Sequence, residues 1–476
     1  MGTEACEVTV GTGRLRGTTT DGIRRFAGVP YAQPPFGPRR FHLPQPVTAW
    51  EGVRDAETFG PPAPQDPYRG PIGELLPSLV ADGRAQDILT LNVWSPEDAR
   101  ALPVVVWIHG GAFERGGSAL EGYDGTTFAR DDVVFVSVNY RLGSEGFSVL
   151  EDAPRNLGLE DVAAALRWTH AEIAAFGGDP DRITVMGESA GGALAAALLC
   201  RDDTRPLIAG GIVQSGPLTA AEPERAGRVT RAIAKRLGIS ATRDAFAAVP
   251  PAELLAARAA QAAGSSPLRG APGFVLARDD ASLPRAPRDA LTSVDVPLVI
   301  GTNTDEYRLW FSPASLATIT TWQARLARLA LRVPRAAARA YRRLFPDQNE
   351  GERLGQALTD AMLRVPMVQA ASRRSAPTFV YEFAWSSPVR DLRAAHAVEL
   401  GFVFDGLDGD DSRALAGEAA PQSLADDMHD AWMRMIRDGN PGWPAFGHDR
   451  LVRVFDAPSR TAVLPRADAV DAYPGS

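Results

Sequence analysis

The chain has 476 residues, of which 45% are hydrophobic and 23% charged, an ordinary balance for a globular protein. Its net charge of −8 argues against a nucleic-acid partner, which calls for a basic face, and no apolar run approaches the ~20 residues that span a bilayer. Cys6 and Cys200 suit neither a metal motif nor a disulfide framework, and residues 1–7 carry no basic or apolar leader, so a cytoplasmic protein is the expectation.

In chain order, the first signal is Gly11-Thr12-Gly13-Arg14-Leu15-Arg16-Gly17. Its spacing is not G-x-G-x-x-G and no helical pattern follows, so it reads as a hairpin and not as a dinucleotide loop. The proline-rich stretch 60–67 predicts a surface loop. Residues 104–108 and 133–138 are short, continuous apolar runs, the pattern of strands covered on both faces. From 161 to 176, Val162, Leu166, Ile173 and Phe176 recur at helical spacing, and Gly177-Gly178 stops the helix. A strand at 183–186 and a helix-compatible run at 192–199 come next. Further strands are expected at 211–214, 296–300 and 378–383. This alternation predicts an α/β fold with a mostly parallel sheet flanked by helices. Two stretches rich in Ala and Arg, about 217–290 and 313–375, are helical in pattern and lack strand signals. They read as insertions forming a cap or wall over a site. No linker interrupts the chain, so a single domain over 1–476 is expected.

Between the strand at 183–186 and the helix after it stands Gly187-Glu188-Ser189-Ala190-Gly191. It fits G-x-S-x-G, the strained strand-to-helix turn that lifts a serine hydroxyl clear of a sheet. A serine is a poor nucleophile at neutral pH and needs a base, with a third group to hold that base. On such a sheet the partners follow in the order serine, acid, histidine. His42, His109 and His170 precede Ser189 and fall out. His429 lies in an amphipathic stretch and reads as a surface histidine, while His448 sits in a loop with no strand to present it. His396 follows the strand at 378–383 by one loop and is the favoured base. Asp305 and Glu306 both follow the strand at 296–300, and order alone leaves them tied as the acid. His109-Gly110-Gly111-Ala112-Phe113 follows the strand at 104–108 and is of the type that offers backbone N–H groups to an oxyanion. Gly110, Gly111 and Ala190 are the donors this arrangement points to. There is no H-E-x-x-H motif, and the lone lysine, Lys235, has no serine three residues before it, which excludes an S-x-x-K nucleophile.

These motifs occur together with Phe26-Ala27-Gly28-Val29-Pro30-Tyr31-Ala32, Asn139-Tyr140-Arg141-Leu142-Gly143, Phe176-Gly177-Gly178-Asp179-Pro180, Gln214-Ser215-Gly216 and Asp438-Gly439-Asn440-Pro441. The set resembles the type-B carboxylesterases, the family of cholinesterases and of bacterial esterases active on aryl and benzyl esters, over nearly the whole chain. The resemblance implies an α/β-hydrolase that cleaves small-molecule esters through an acyl-enzyme, with no cofactor and no metal. It places the acid on Glu306 and the base on His396. Ser215 matches a buried serine supporting the triad, and Glu188 an acidic residue near the substrate. Phe113, Trp310 and Phe311 are candidates for an apolar pocket wall, with core packing as the alternative for each.

The chain departs from the family pattern at several points. Tyr307, Ala397 and Asp405 stand where glycine is common, Asp87-Ile88-Leu89 replaces a disulfide cysteine, and Glu114-Arg115 bring charge near the pocket mouth. All the expected catalytic groups are retained, so the departures bear on specificity. The same site could serve amides, carbamates or thioesters. Silent binding proteins of this fold typically lack the nucleophile or the histidine, and this chain keeps both.

Overall fold

The structure, a computed structural model, describes residues 2–263 and 273–475; residues 264–272 of the first expected insertion lie outside the described residues. The strands are β1 (Glu4–Val10), β2 (Gly13–Thr20), β3 (Ile23–Pro30), β4 (Val53–Asp55), β5 (Thr90–Pro96), β6 (Leu102–Ile108) and β7 (Val134–Val138). They continue with β8 (Gly178–Glu188), β9 (Gly210–Gln214), β10 (Leu298–Asn303), β11 (Thr378–Phe383), β12 (Leu451–Phe455) and β13 (Arg460–Val463). All join one sheet in the order β1-β2-β3-β5-β7-β6-β8-β9-β10-β11-β12-β13, with β4 beside β2. From β7 to β12 every neighbouring pair is parallel, and both margins are antiparallel apart from the short β4, which runs parallel to β2. The first hairpin pairs Val10 with Gly13, so the glycine-rich stretch at 11–17 is a turn and the strand after it.

The longer helices are α1 (Leu157–Glu172), α2 (Ala190–Leu199), α3 (Arg228–Leu237), α4 (Pro251–Ala263) and α5 (Thr321–Ala330). After these come α6 (Arg335–Leu344), α7 (Glu350–Thr359), α8 (Val365–Arg373), α9 (Asp410–Ala416) and α10 (Gln422–Asp438). Side chains alternate across a strand, and the central strands use both sides. Val104, Val106, Ile108, Ile183 and Val185 join one core with the apolar faces of α1 and α2. Val105, Trp107, Met186 and Ile212 join the other, against Trp432, Met435 and Ile436 of α10. With both faces covered, these strands need no polar alternation, which is why they appear in the sequence as unbroken apolar runs.

Small shifts separate the expected elements from the observed ones. The helix expected at 161–176 starts earlier, at Leu157, and its last four residues tighten into a 3-10 turn before Gly177, whose φ is +87°. The strand expected from 296 runs instead over Leu298–Asn303. Helices fill both of the expected insertions in the described residues. One holds α3 and α4 between β9 and β10, and the other holds α5 to α8 between β10 and β11. None of their described residues lines the cavity over Ser189, so the expected cap or wall over the site is not formed by them.

Candidate active site

Strand register brings the motifs together. Ile108 pairs with Gly187, Glu188 with Gln214, Gly301 with Gln214, and Asn303 with Phe383. The loops after β6, β8, β10 and β11 therefore leave the same carboxyl edge of the sheet, where open parallel sheets bind ligands.

Ser189 sits between β8 and α2 with φ +55° and ψ −121°, a conformation that side chains rarely adopt. The turn is held by Ser189 N–H donating to Gln214 O at 2.9 Å. Its glycines are required by close approach: a Cβ on Gly191 would lie 1.9 Å from Ile108 O, and one on Gly187 would lie 2.4 Å from Gly191 O.

His396 and Glu306 meet across the edge. His396 Nδ1 is 2.5 Å from Glu306 Oε2. The other carboxylate oxygen, Glu306 Oε1, accepts from Ser215 Oγ at 2.6 Å and from Asn303 N–H at 2.8 Å. Asp305 turns the other way and accepts from Gln356 Nε2 of α7 at 2.6 Å. Behind this loop the buried Arg364 donates to Asn303 O at 3.0 Å. Tyr307, one of the departures from the family pattern, is buried with its ring against Gly355, whose lack of a side chain makes the room. Ala397 and Asp405, which replace glycines of the family, both keep positive φ, +68° and +49°.

Three carboxyl groups surround the imidazole. Glu188 Oε1 lies 2.9 Å from His396 Nε2 but makes no aligned hydrogen bond to it. Glu399, fully buried, accepts from Asn303 Nδ2 at 2.5 Å. Burial first, then the neighbouring Glu188 and Glu306, push the Glu399 carboxyl up to about 8. For His396, burial favours the neutral ring, yet Glu188 and Glu306 outweigh it and hold the imidazolium to well above the usual histidine range.

The loop after β6 is clamped from behind. Tyr140 Oη donates to His109 O at 2.8 Å, and its ring stacks on the His109 ring at 4.5 Å. His109 Nδ1 lies 2.8 Å from Gly110 O. Burial pushes the His109 ring down to about 4, so it is neutral at pH 7 and donates from Nδ1. In a trans peptide the C=O and the following N–H point in opposite directions. Tying the carbonyls of His109 and Gly110 to this backing turns the N–H groups of Gly110 and Gly111 the other way. Neither amide has a main-chain partner among the described residues. Ala190 opens α2, where the first N–H groups have no intrahelical acceptor.

A cavity opens over these groups, lined by Gly110, Gly111, Glu188, Ser189 and His396, and walled by Tyr68, Ile72, Leu76, Leu120, Tyr123, Trp310 and Leu415. The Trp310 ring lies 4.8 Å from that of His396. Phe113 does not join Trp310 in the wall: it packs at 4.7 Å on Phe147 within the core. Phe311 is partly exposed outside it. Glu114 is paired with Arg258 of α4 at 2.6 Å, and Arg115 lies over the Tyr68 ring. His429, expected at the surface, is buried in α10, with Nδ1 2.7 Å from Val403 O and its ring edge-on to Phe128. The helix is amphipathic as expected, but its apolar face extends far enough to cover the histidine. His448 is fully exposed. Asn303, Glu399 and the Tyr140–His109 clamp were not singled out from sequence. Glu399 stands three residues after His396, and only the fold shows that it reaches Asn303, whose backbone N–H donates to Glu306.

The strand order, the turn at Ser189 and the loops gathered at one sheet edge are those of an α/β-hydrolase. The chain belongs to the carboxylesterase family, whose model matches residues 4–450. It is 36% identical over 464 residues to a para-nitrobenzyl esterase of Bacillus subtilis (strain 168), covering 92% of each chain. It is 34% identical to a phenmedipham hydrolase of Pseudarthrobacter oxydans, again over 92% of each. Among solved structures it resembles a carboxylesterase of Geobacillus stearothermophilus with a TM-score of 0.87 at 34% identity, covering 98% of this chain and 99% of that one.

Proposed function

We propose that this carboxylesterase-family hydrolase cleaves small-molecule carboxylic esters with Ser189 as nucleophile, His396 as base and Glu306 as the acid that orients it. The observation that supports this most is the relay behind the histidine. Ser215 Oγ and Asn303 N–H donate to one oxygen of Glu306, and the other oxygen holds His396 Nδ1. A carboxylate tied in this way fixes the tautomer in which Nε2 carries the lone pair. Nε2 then takes the Ser189 proton as Oγ adds to the ester carbonyl. The N–H groups of Gly110, Gly111 and Ala190 receive the developing oxyanion, each donor being worth about 3–4 kcal/mol in serine hydrolases of this logic. The imidazolium, stabilised by Glu306, protonates the departing alcohol. Deacylation repeats the cycle with water in place of the serine.

Glu188 adds a control to this scheme. Placed 2.9 Å from Nε2, it favours the protonated ring before substrate arrives. The apolar wall of Ile72, Leu76, Leu120 and Leu415, with aromatic Tyr68, Tyr123 and Trp310, suits an uncharged alcohol or acyl group. The two free thiols, Cys6 and Cys200, suit a reducing compartment, in line with the cytoplasmic expectation.

A panel of chromogenic esters varying in acyl length and alcohol size, para-nitrobenzyl esters among them, tests the reading. The wild type is expected to hydrolyse members of the panel, and Ser189→Ala to fall by at least about 1,000-fold in kcat. Absence of hydrolysis across the panel would instead favour a silent binding protein.

A further inference from the structure

The insertion between β10 and β11 carries a surface that ester hydrolysis does not use. In α5, Ala324 and Arg328 face inward, and Arg328 pairs with Glu350 of α7 at 2.6 Å. On the other side of the same helix, Trp322, Leu326 and Leu329 are 65%, 48% and 75% exposed. With 3.6 residues per turn, these three fall within about 60° of arc. The helix thus presents apolar side chains along its solvent crest, the reverse of the usual arrangement. A single exposed leucine is ordinary; an aligned Trp-Leu-Leu stripe marks a contact surface.

Charge identifies the kind of contact. Residues 321–344 contain seven arginines and no acidic residue, within a chain of net charge −8. Arg325, Arg332, Arg335 and Arg339 of this stretch are exposed and have no ion-pair partner among the described residues. Self-pairing of this face about a two-fold axis would set these arginines against one another, which disfavours a second copy as the occupant. A tryptophan- and leucine-bearing crest beside unpaired arginines complements a surface that is anionic outside and apolar just beneath, as in helices that lie in a membrane interface. α5 packs on α7, and α7 packs on the turn that carries Glu306, so the face is anchored to the same wall as the catalytic loop.

We propose that α5 and α6 form a peripheral docking face for anionic phospholipid bilayers. Trp322, Leu326 and Leu329 enter the boundary between headgroups and acyl chains, and Arg325, Arg332, Arg335 and Arg339 meet the lipid phosphates.

Flotation of the full-length protein with vesicles of phosphatidylglycerol or of phosphatidylcholine tests this. Binding to phosphatidylglycerol is expected to exceed binding to phosphatidylcholine by about tenfold or more, and to be lost in about 0.5 M salt. Trp322→Ser/Leu326→Ser/Leu329→Ser and Arg325→Glu/Arg332→Glu/Arg335→Glu/Arg339→Glu should each lower vesicle partitioning by at least about tenfold. Both variants should keep the wild-type rate on a soluble short-chain ester, which shows that they fold; vesicle binding itself does not depend on Ser189. The proposal is overturned if phosphatidylglycerol vesicles do not bind the protein, if both lipids bind equally, or if folded variants bind like wild type. A dimer dissolved by the Trp322/Leu326/Leu329 variant, without vesicle binding, would assign the face to a second copy instead.

Discussion

With His396 as the proposed base, the groups that face it set the pH at which Ser189 is activated. A base acts in its neutral form, and Glu188 with Glu306 holds this ring protonated to well above its ordinary range. Raising the pH therefore switches the enzyme on, and the rising limb of kcat/KM is expected above pH 6.5. Replacing Glu188 by Gln removes the stronger of the two neighbouring charges, so the limb should move to lower pH. A limb unchanged in Glu188→Gln would show that this carboxylate does not act on the base. The acid is tested by a pair of variants. Glu306→Gln should lower kcat by about 1,000- to 10,000-fold with the fold intact, because the imidazole loses its tautomeric control. Asp305→Asn should change kcat little, since Asp305 faces Gln356 and not His396. A large loss in the second variant alone would mean the acid is Asp305. At this scale the sequence was partly legible. Chain order eliminated three histidines, but Asp305 and Glu306 are adjacent carboxylates after one strand, and nothing local says which one turns toward the imidazole. Family resemblance was needed to choose between them. The expectation of a surface His429 fails because periodicity reports which residues share a helix face, and not how far the neighbouring core reaches over it.

At the scale of elements, the loop after β6 depends on contacts from beyond itself. The carbonyls that orient its peptides are held by His109 and by Tyr140, which follows β7. Tyr140→Phe keeps the stacked ring and removes one tie. It should lower kcat by about tenfold and leave KM unchanged, because an oxyanion donor acts on the transition state and not on bound ester. Equal changes in kcat and KM for several esters, or none at all, would contradict the clamp. Hydroxyl-to-carbonyl ties of this kind leave no trace in spacing, and Asn139-Tyr140-Arg141 could be recognised only as a motif. The central strands are legible for the opposite reason: burial on both faces leaves β6, β7 and the carboxyl half of β8 as short apolar runs with few polar interruptions. Strands nearer the sheet margins, such as β3 and β12, mix half-buried and buried positions and give weaker signals. Of the aromatic residues expected in the cavity wall, Trp310 is there and Phe113 is in the core, because aromatic character alone does not distinguish the two sides of a loop.

In the whole molecule, the sheet order collects four loops from distant parts of the chain at one edge, and the cavity wall above them comes from loop residues such as Tyr68, Ile72, Leu120 and Trp310 and from Leu415, not from the two helical insertions. Under the proposed function, this assembly makes one serine, Ser189, a nucleophile. The most direct measurement is covalent labelling by a fluorophosphonate, followed by peptide mapping, alongside residual ester hydrolysis. A single adduct on Ser189 is predicted, with activity lost in proportion to labelling and with no adduct at stoichiometric probe in Ser189→Ala. An adduct on Ser215 or another serine, or undiminished hydrolysis by Ser189→Ala, would contradict it.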